Sequence, residues 1–200
     1  MKTFIIVDFQ KDFINGSLAV NGSDNAEDAI TKFIINNHNE LNEIIFTIDW
    51  HTRNHCSFKN NGGIWPNHCV QYTEGAGISD KLMNICIDYN IPTKIFIKGN
   101  TDDIEEYGAF EKIGTWAYEN GSLDIIANNY KNDSPIHIVT SDVIVAGIAG
   151  DYCVMNTIKN LMKYHGPLDL NISVFKDGIA NIDDGTTLDN FIKENNLKTI

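Results

Sequence analysis

The chain has 200 residues, of which 42% are hydrophobic and 21% charged, so its composition is globular and its length suits one α/β domain with a substantial core. The formal net charge is −12 and the isoelectric point is near 4.7. This negative field would repel a phosphate backbone or an anionic membrane surface. We therefore expect neither a nucleic acid nor a membrane as a partner.

The N-terminal residues MKTFIIVDFQ contain an apolar run of only four residues before Asp8. Such a run is too short for a signal peptide or an anchor, and no later stretch approaches the length of a transmembrane helix. We expect a cytoplasmic protein.

The four cysteines form no C-x-x-C pair, which argues against a zinc finger or a thioredoxin motif. In the cytoplasm they should be free thiols.

Apolar runs and helical patterns alternate along the chain. Strands are predicted at 3–9, 43–51, 93–99 and 169–178, and residues 134–150 can hold two strands broken at 140–142. Helices are predicted at 25–38, capped by Asp24 or Ser23, and at 78–90, 121–132, 152–166 (stopped by Gly166 and Pro167) and 186–196. The alternation predicts a doubly wound, mostly parallel α/β sheet with helices on both faces, in a single domain spanning 1–200.

Ionisable side chains end four of the predicted strands. They are Asp8, Asp49 with His51, Lys98, and Cys153 just beyond the run SDVIVAGIA. A single polar residue at a strand end is common and has no special meaning. Because ligands of open α/β sheets bind outside the carboxyl ends of the strands, however, an acid, a base and a thiol meeting at one edge predict a catalytic site.

The segment GIAGDYCV (147–154) puts Cys153 at a predicted strand-to-helix turn. Asp8 can take the thiol proton during attack, and the Lys98 cation favours the thiolate. The preceding small residues let backbone N–H groups approach a developing oxyanion. This is the set of groups expected of a Cys–Asp–Lys acyl-transfer enzyme. Cys86, on the apolar side of a helix, is interpreted as a core residue.

A second group of residues fits a metal site. Asp49 and His51 are two residues apart on a strand end, and His68 can return from the long irregular stretch 52–77. A carboxylate and two imidazoles suit Zn²⁺, with Fe²⁺ and Mn²⁺ as alternatives. His55 and Ser57 are further candidate ligands, and the alternative for all of these histidines is an ordinary surface role.

The aromatic residues Phe13 and Trp65 could either flank a flat ligand or belong to the core, and the sequence fits both roles equally well.

Five stretches of the chain resemble the nicotinamidase/pyrazinamidase branch of the isochorismatase-like cysteine hydrolases, in family order over nearly the whole length. They are VDFQKDF (7–13), TIDWHTRNHCSF (47–58), WPNHCVQYTEGA (65–76), FIKG (96–99) followed by EEYGAF (105–110), and GIAGDYCVMNT (147–157). Each is weak alone, but five in order are specific. The retained thiol and the metal motif distinguish the chain from isochorismatase itself.

The resemblance implies roles for individual residues. Asp8, Lys98 and Cys153 would form the catalytic triad, and the N–H groups of Ala149 and Cys153 the oxyanion hole beside a cis peptide at 148–149. Asp49, His51 and His68 would bind one divalent metal, with the fourth position open between Ser57, His55 and water. Phe13, Trp65 and Tyr107 would line the ring pocket. Gly150 departs from the family pattern, which more often has a hydroxyl or a larger residue there.

The function implied is hydrolysis of nicotinamide, and of pyrazinamide, to the acid and ammonia through a cysteine thioester, as in NAD salvage and pyridine nucleotide biosynthesis. The partner would be a small-molecule amide, and a homo-oligomer is one alternative for the assembly. Two other hypotheses remain. A related cysteine hydrolase would act on a carbamoyl or ureido amide, and a non-catalytic protein of the same fold would bind metal without releasing ammonia.

Overall fold

The computed structural model describes residues 1–111, 115–119, 138–163 and 168–200, with residues 115–119 described as backbone only. Seven strands form one sheet in the order β4-β3-β2-β1-β5-β6-β7. Their bounds are β1 Lys2–Val7, β2 Leu41–Asp49, β3 Thr93–Lys98, β4 Thr115–Glu119, β5 Asp142–Ile148, β6 Asn171–Ala180 and β7 Lys198–Thr199. All neighbouring pairs are parallel except the antiparallel pair of β3 and β4, so the predicted doubly wound, mostly parallel sheet is confirmed.

Five α-helices lie within the described ranges. They are α1 Lys11–Ile14, α2 Ser23–Asn37, α3 Asp80–Asp88, α4 Met155–Met162 and α5 Thr186–Glu194. None of the helices in these ranges is long and apolar enough to cross a membrane. The long irregular stretch after β2 contains two short 3₁₀ turns, Lys59–Asn61 and Glu74–Ala76, and isolated β-bridges that pair His51 with Val70 and Phe58 with Trp65.

The core has two layers because side chains of a strand alternate between the faces of a sheet. Phe4 and Ile6 of β1 pack on one face in the cluster that contains residues of α2 and α3. Ile5 and Val7 pack on the other face with residues of α4 and α5. The strands are therefore apolar on both sides, as buried parallel strands should be.

Several predicted boundaries were wrong. Helix α2 has Gly22 as its N-cap instead of Asp24 or Ser23. The helix predicted from 152 begins as an α-helix only at Met155, and Cys153 lies in a π-helical turn, Gly150–Val154. Strands β4 and β7 and helix α1 were missed because they are short.

Other predictions fall on residues that the structure does not describe. The helix at 121–132 and the stop at Gly166 and Pro167 lie outside the described residues. Of the first strand proposed within 134–150, only the last residues are described, and they are not part of a strand. The second strand of that stretch is β5.

Candidate active site and metal centre

The sheet order brings the predicted strand-end residues together. Strands β1, β2 and β3 are neighbours, and the register pairs Asp49 with Lys98. Asp8 follows β1 directly, with its backbone N–H donating to Thr47 O at 3.0 Å. Strand β5 lies on the other side of β1 and leads into the turn that carries Cys153. The groups predicted to converge therefore lie at one edge of the sheet.

Lys98 is the centre of this group and is 0% exposed. Its ammonium forms an ion pair with Asp8 Oδ2 at 2.7 Å and contacts Asp49 Oδ1. It also donates to Glu106 O at 3.2 Å and lies 3.7 Å from Cys153 Sγ. One buried cation thus contacts two carboxylates and the thiol.

Asp8 is held by contacts of both its carboxylate oxygens. Its Oδ1 accepts from the Thr47 hydroxyl at 2.7 Å. Its Oδ2 is ion-paired with the Lys98 ammonium at 2.7 Å. One oxygen each of Asp8 and Asp49 and the Cys153 sulfur lie within 4.8 Å of one another. An Asp8 oxygen is therefore close enough to the sulfur to accept the proton of Cys153.

Burial and charge set the protonation of these groups. Burial raises the pKa of Asp8 in spite of the Lys98 cation. Burial would also lower the pKa of Lys98, but the two carboxylates reverse the sign, and its pKa lies well above the usual value. Burial raises the pKa of the Cys153 thiol well above its usual value, against the opposing effect of Lys98. Lys98 lowers the pKa of this thiol, as expected, but burial is the larger effect and the net shift favours the protonated thiol.

Asp49, His51 and His68 form a second buried cluster beside Lys98, with one ligand atom from each lying within 4.8 Å of the others. Asp49 Oδ2 is 3.6 Å from His51 Nε2 and 3.9 Å from His68 Nε2. The Nδ1 atoms of His51 and His68 lie 2.8 Å from the carbonyl oxygens of Gly99 and Pro66. These bonds put the proton on Nδ1 in the neutral ring and leave each Nε2 lone pair directed at the cluster.

The cluster fits a divalent cation. Ligands about 2.1 Å from a tetrahedral metal are about 3.4 Å apart. The distances of 3.6 and 3.9 Å from Asp49 Oδ2 to the two histidine nitrogens are close to this value. Burial would raise the pKa of Asp49, but Lys98 and His51 reverse this effect, so the carboxylate is ionised. Burial lowers the pKa of His68, which keeps that imidazole neutral. Burial would lower the pKa of His51, but Asp49 reverses this effect and raises it. Metal binding would displace that proton, since a metal binds an ionised carboxylate and deprotonated imidazole nitrogens.

The two candidate fourth ligands contact each other. His55 Nδ1 lies 2.7 Å from Ser57 Oγ, and its Nε2 lies 3.0 Å from Ile104 O. The His55 ring stacks on that of His51, with 3.9 Å between the centroids, and burial lowers the pKa of His55 to about 4. Both ring nitrogens of His55 are therefore already used, and the group supports the neighbouring ligand His51.

An aromatic cavity opens beside Cys153 and the metal cluster. The residues that line it are Phe13, Leu18, Asp49, Trp65, His68, Glu105, Tyr107, Ala149, Tyr152, Cys153 and Ile182. Trp65 Nε1 donates to the Tyr107 hydroxyl at 3.1 Å, and the Trp65 and Tyr152 rings meet edge to face. Phe13 packs against the His68 ring, with 5.4 Å between the centroids. All three aromatic residues predicted for the ring pocket thus lie in one cavity lined with flat side chains.

Ala149 is the N-cap of the π-helical turn, and Cys153 lies within the turn. The peptide between Ile148 and Ala149 is cis, as the resemblance implies. The Ala149 carbonyl accepts from the backbone N–H groups of Tyr152 and Val154, at 3.1 and 3.0 Å. Both residues predicted for the oxyanion hole line the cavity.

Sequence reasoning missed several residues of the site. Glu105 lines the cavity, and one of its oxygens lies within 4.8 Å of a nitrogen of His51 and of His55. Its burial raises the pKa of its carboxyl group. Glu105 stands inside the quoted stretch EEYGAF, so the motif contained the signal. Leu18, Tyr152 and Ile182 carried no signal, because an apolar wall residue looks like any core residue.

Gln10 was also missed, and it holds Asp49 in place. Its Nε2 donates to Asp49 O and Ala76 O, each at 2.8 Å, and its Oε1 accepts from Asp49 N at 2.8 Å. Gln10 is 0% exposed. One buried amide therefore satisfies three backbone groups that no water reaches, and it links the strand end to the loop after it.

We predict that Gln10→Ala lowers the free energy of unfolding by about 3 kcal/mol, because it leaves buried backbone groups unsatisfied. Urea unfolding measures the loss. Gln71→Ala is the control, since the half-buried Gln71 donates a single hydrogen bond, to Trp50 O. We expect a loss near 1 kcal/mol there. Equal losses for the two variants would contradict the role given to Gln10.

Comparison with known proteins agrees with this geometry, although no family model matches the chain. It is 30% identical to a nicotinamidase of Acinetobacter baylyi, over 90% of the chain and 81% of the relative. It is 28% identical to a nicotinamidase of Saccharomyces cerevisiae, over 97% and 94%.

Solved structures give the same result. A pyrazinamidase of Pyrococcus horikoshii in complex with zinc superposes with a TM-score of 0.74 at 25% identity, covering 100% of this chain and 98% of that one. PnC1 from L. infantum in complex with nicotinate superposes with a TM-score of 0.76 at 27% identity, covering 100% and 92%. The chain therefore belongs to the nicotinamidase family, amide-hydrolysing enzymes of the isochorismatase-like fold.

Proposed function

We propose that this protein hydrolyses nicotinamide, and pyrazinamide, to the carboxylic acid and ammonia through a thioester on Cys153. The observation that carries the proposal is the buried group of Cys153, Asp8 and Lys98 beside a cavity lined with aromatic rings. The similarity to nicotinamidases and to structures holding nicotinate and zinc supports it.

The reaction begins with the thiol in its protonated form. Asp8 Oδ2 takes the proton as Cys153 Sγ forms a bond to the amide carbon, and the carbonyl electron pair moves onto oxygen. The N–H groups of Ala149 and Cys153 hold this oxyanion. Lys98, 3.7 Å from the sulfur, stabilises the negative charge as the proton leaves.

The intermediate then collapses and its C–N bond breaks. Asp8 returns the proton to the leaving nitrogen, which departs as ammonia, and the acyl group stays on sulfur as a thioester. Water attacks the thioester carbon, Asp8 accepts a proton from that water, and the C–S bond breaks. The proton returns to sulfur and the acid is released. The raised pKa of Asp8 suits a group that both takes and gives a proton.

Asp49, His51 and His68 would hold the divalent metal, zinc before iron or manganese, with water as the further ligand since Ser57 and His55 bond to each other. When bound, the metal would supply a Lewis-acid contact for the ring nitrogen of the substrate. Phe13, Trp65 and Tyr107 would pack against the ring and orient its amide toward Cys153.

We predict that Cys153→Ala keeps the fold and lowers kcat by about 10⁵-fold or more, because the nucleophile is lost. A coupled ammonia assay measures the rate, and circular dichroism checks the fold. Cys56→Ala is the control, since it removes a partly exposed thiol and should leave the rate unchanged. A Cys153→Ala enzyme with more than a thousandth of the normal rate would exclude Cys153 as the nucleophile.

We predict one divalent metal per chain, lost in His68→Ala and retained in His38→Ala. His68 offers a buried nitrogen to the cluster, whereas His38 caps the end of a surface helix. Elemental analysis of both purified variants measures the content. Wild-type protein stripped by a chelator should lose activity and regain it on addition of zinc. Full activity in metal-free protein would contradict the site.

We predict that benzamide is hydrolysed with a kcat/KM about 10² to 10³ below that of nicotinamide, because it lacks the ring nitrogen and leaves the metal contact unmade. Pyrazinamide keeps this nitrogen and should be a good substrate. The measurement is kcat/KM for the three amides on metal-loaded enzyme. Benzamide within threefold of nicotinamide would exclude the ring-nitrogen contact, and rapid turnover of a carbamoyl compound alone would favour the related amidase.

A further inference from the structure

One wall of the cavity is formed by Ile182, in the loop between β6 and α5. The loop runs over residues 181–185, and the Ile182 side chain lines the cavity together with Cys153. Ile182 is nevertheless 45% exposed, so burial in the core does not hold it there. Something else must fix the position of this wall relative to the nucleophile.

Asp151 supplies that attachment. It lies in the π-helical turn two residues before Cys153, is 7% exposed, and takes no part in the proposed chemistry. Its Oδ1 accepts from Ile182 N at 2.9 Å, and its Oδ2 accepts from Asp183 N at 3.0 Å. Hydrogen bonds from two successive N–H groups to the two oxygens of one carboxyl group are directional. The turn of the nucleophile and the wall loop are thus joined directly.

Gly150 allows the loop to pack this closely. A Cβ atom at position 150 would overlap the Asn181 side chain and come within 2.7 Å of a methyl group of Ile179. The absent side chain therefore leaves space that Asn181 fills, which accounts for glycine at a position where the family pattern more often has a larger residue. At its other end, the loop is fixed by Asp183, whose carboxylate accepts from Gly185 N and Thr187 N at 2.7 and 3.2 Å.

We propose that Ile182 determines which ring substituents the cavity accepts, and that Asp151 is the positioning residue that holds this wall against the turn of Cys153. The inference rests on the proposed function, since it takes the aromatic ring of the amide as the occupant of the cavity. Substituents pointing toward Ile182 are rejected because the two hydrogen bonds prevent the loop from moving outward. An unsubstituted ring gains an apolar contact from the same side chain.

The first test compares nicotinamide with its ring-methylated derivatives. In Ile182→Ala, KM for nicotinamide should rise about threefold to tenfold with little change in kcat, since a contact made equally in the ground and transition states is lost. The ratio of kcat/KM for at least one methylated derivative to that for nicotinamide should rise tenfold or more. This ratio is measured on a single preparation, so a reduced folded fraction cancels.

The second test separates the positioning role of Asp151. Asp151→Ala should change the selectivity in the same direction as Ile182→Ala, and the double variant should add little, since both act on one wall. Asp151→Asn keeps one carbonyl oxygen as an acceptor and should lie between Asp151→Ala and wild type, and it serves if Asp151→Ala does not fold. Asp184→Asn is the control, because its carboxylate accepts from Thr186 N in the same loop and does not contact the turn.

A third measurement needs no turnover. Alkylation of Cys153 by iodoacetamide and by N-phenylmaleimide is followed by peptide mapping, which separates Cys153 from Cys56. Ile182→Ala and Asp151→Ala should increase the rate with the bulky reagent relative to the small one. If nicotinamide is not hydrolysed but this ratio changes, the proposed function is wrong, whereas the role of Ile182 and Asp151 in limiting access to Cys153 is supported.

Two results would overturn the inference. If Ile182→Ala leaves the selectivity toward both the amides and the alkylating reagents unchanged, Ile182 does not determine what the cavity accepts. A changed selectivity in Ile182→Ala with none in either Asp151 variant would remove the positioning role of Asp151.

Discussion

The site depends on one buried ammonium group. Lys98 is completely inaccessible to solvent, and an isolated cation there would be strongly unfavourable. Asp8 and Asp49 compensate this charge from the ends of β1 and β2, and each carboxylate in turn needs the cation. The three groups therefore stabilise one another only when β1, β2 and β3 are correctly aligned. The chemistry is thus coupled to the register of the sheet.

Asp49 connects the two halves of the site because its oxygens have different partners. Oδ1 contacts the Lys98 ammonium, whereas Oδ2 faces the two histidine nitrogens. A cation bound by the histidines would add positive charge beside a group of two carboxylates and one ammonium. Gln10 fixes the backbone of Asp49 between these two functions. A substitution of Asp49 would therefore disturb both the triad and the metal cluster.

The fold and most of the site were predictable from the sequence. Alternating strand and helix patterns identified the doubly wound sheet, and polar residues at strand ends identified Asp8, Asp49, Lys98 and Cys153 as neighbours. These inferences succeed because parallel strands end at a common edge, so that a position along a strand specifies a position in space. The spacing of Asp49 and His51 and the position of His68 in an irregular loop were equally local signals.

The sequence by itself determined which chemical groups are available at the sheet edge. Only the tertiary structure decided the pKa shifts of these groups and the hydrogen bonds that hold them in place. Burial raises the pKa of the Cys153 thiol against the opposing effect of Lys98, and no sequence pattern reports the depth of burial. The pairing of His55 with Ser57, the bonds of Gln10 and the attachment of Asp151 to residues 182 and 183 join segments distant in the chain or depend on side-chain orientation. Such contacts follow from packing, and packing is a property of the whole fold.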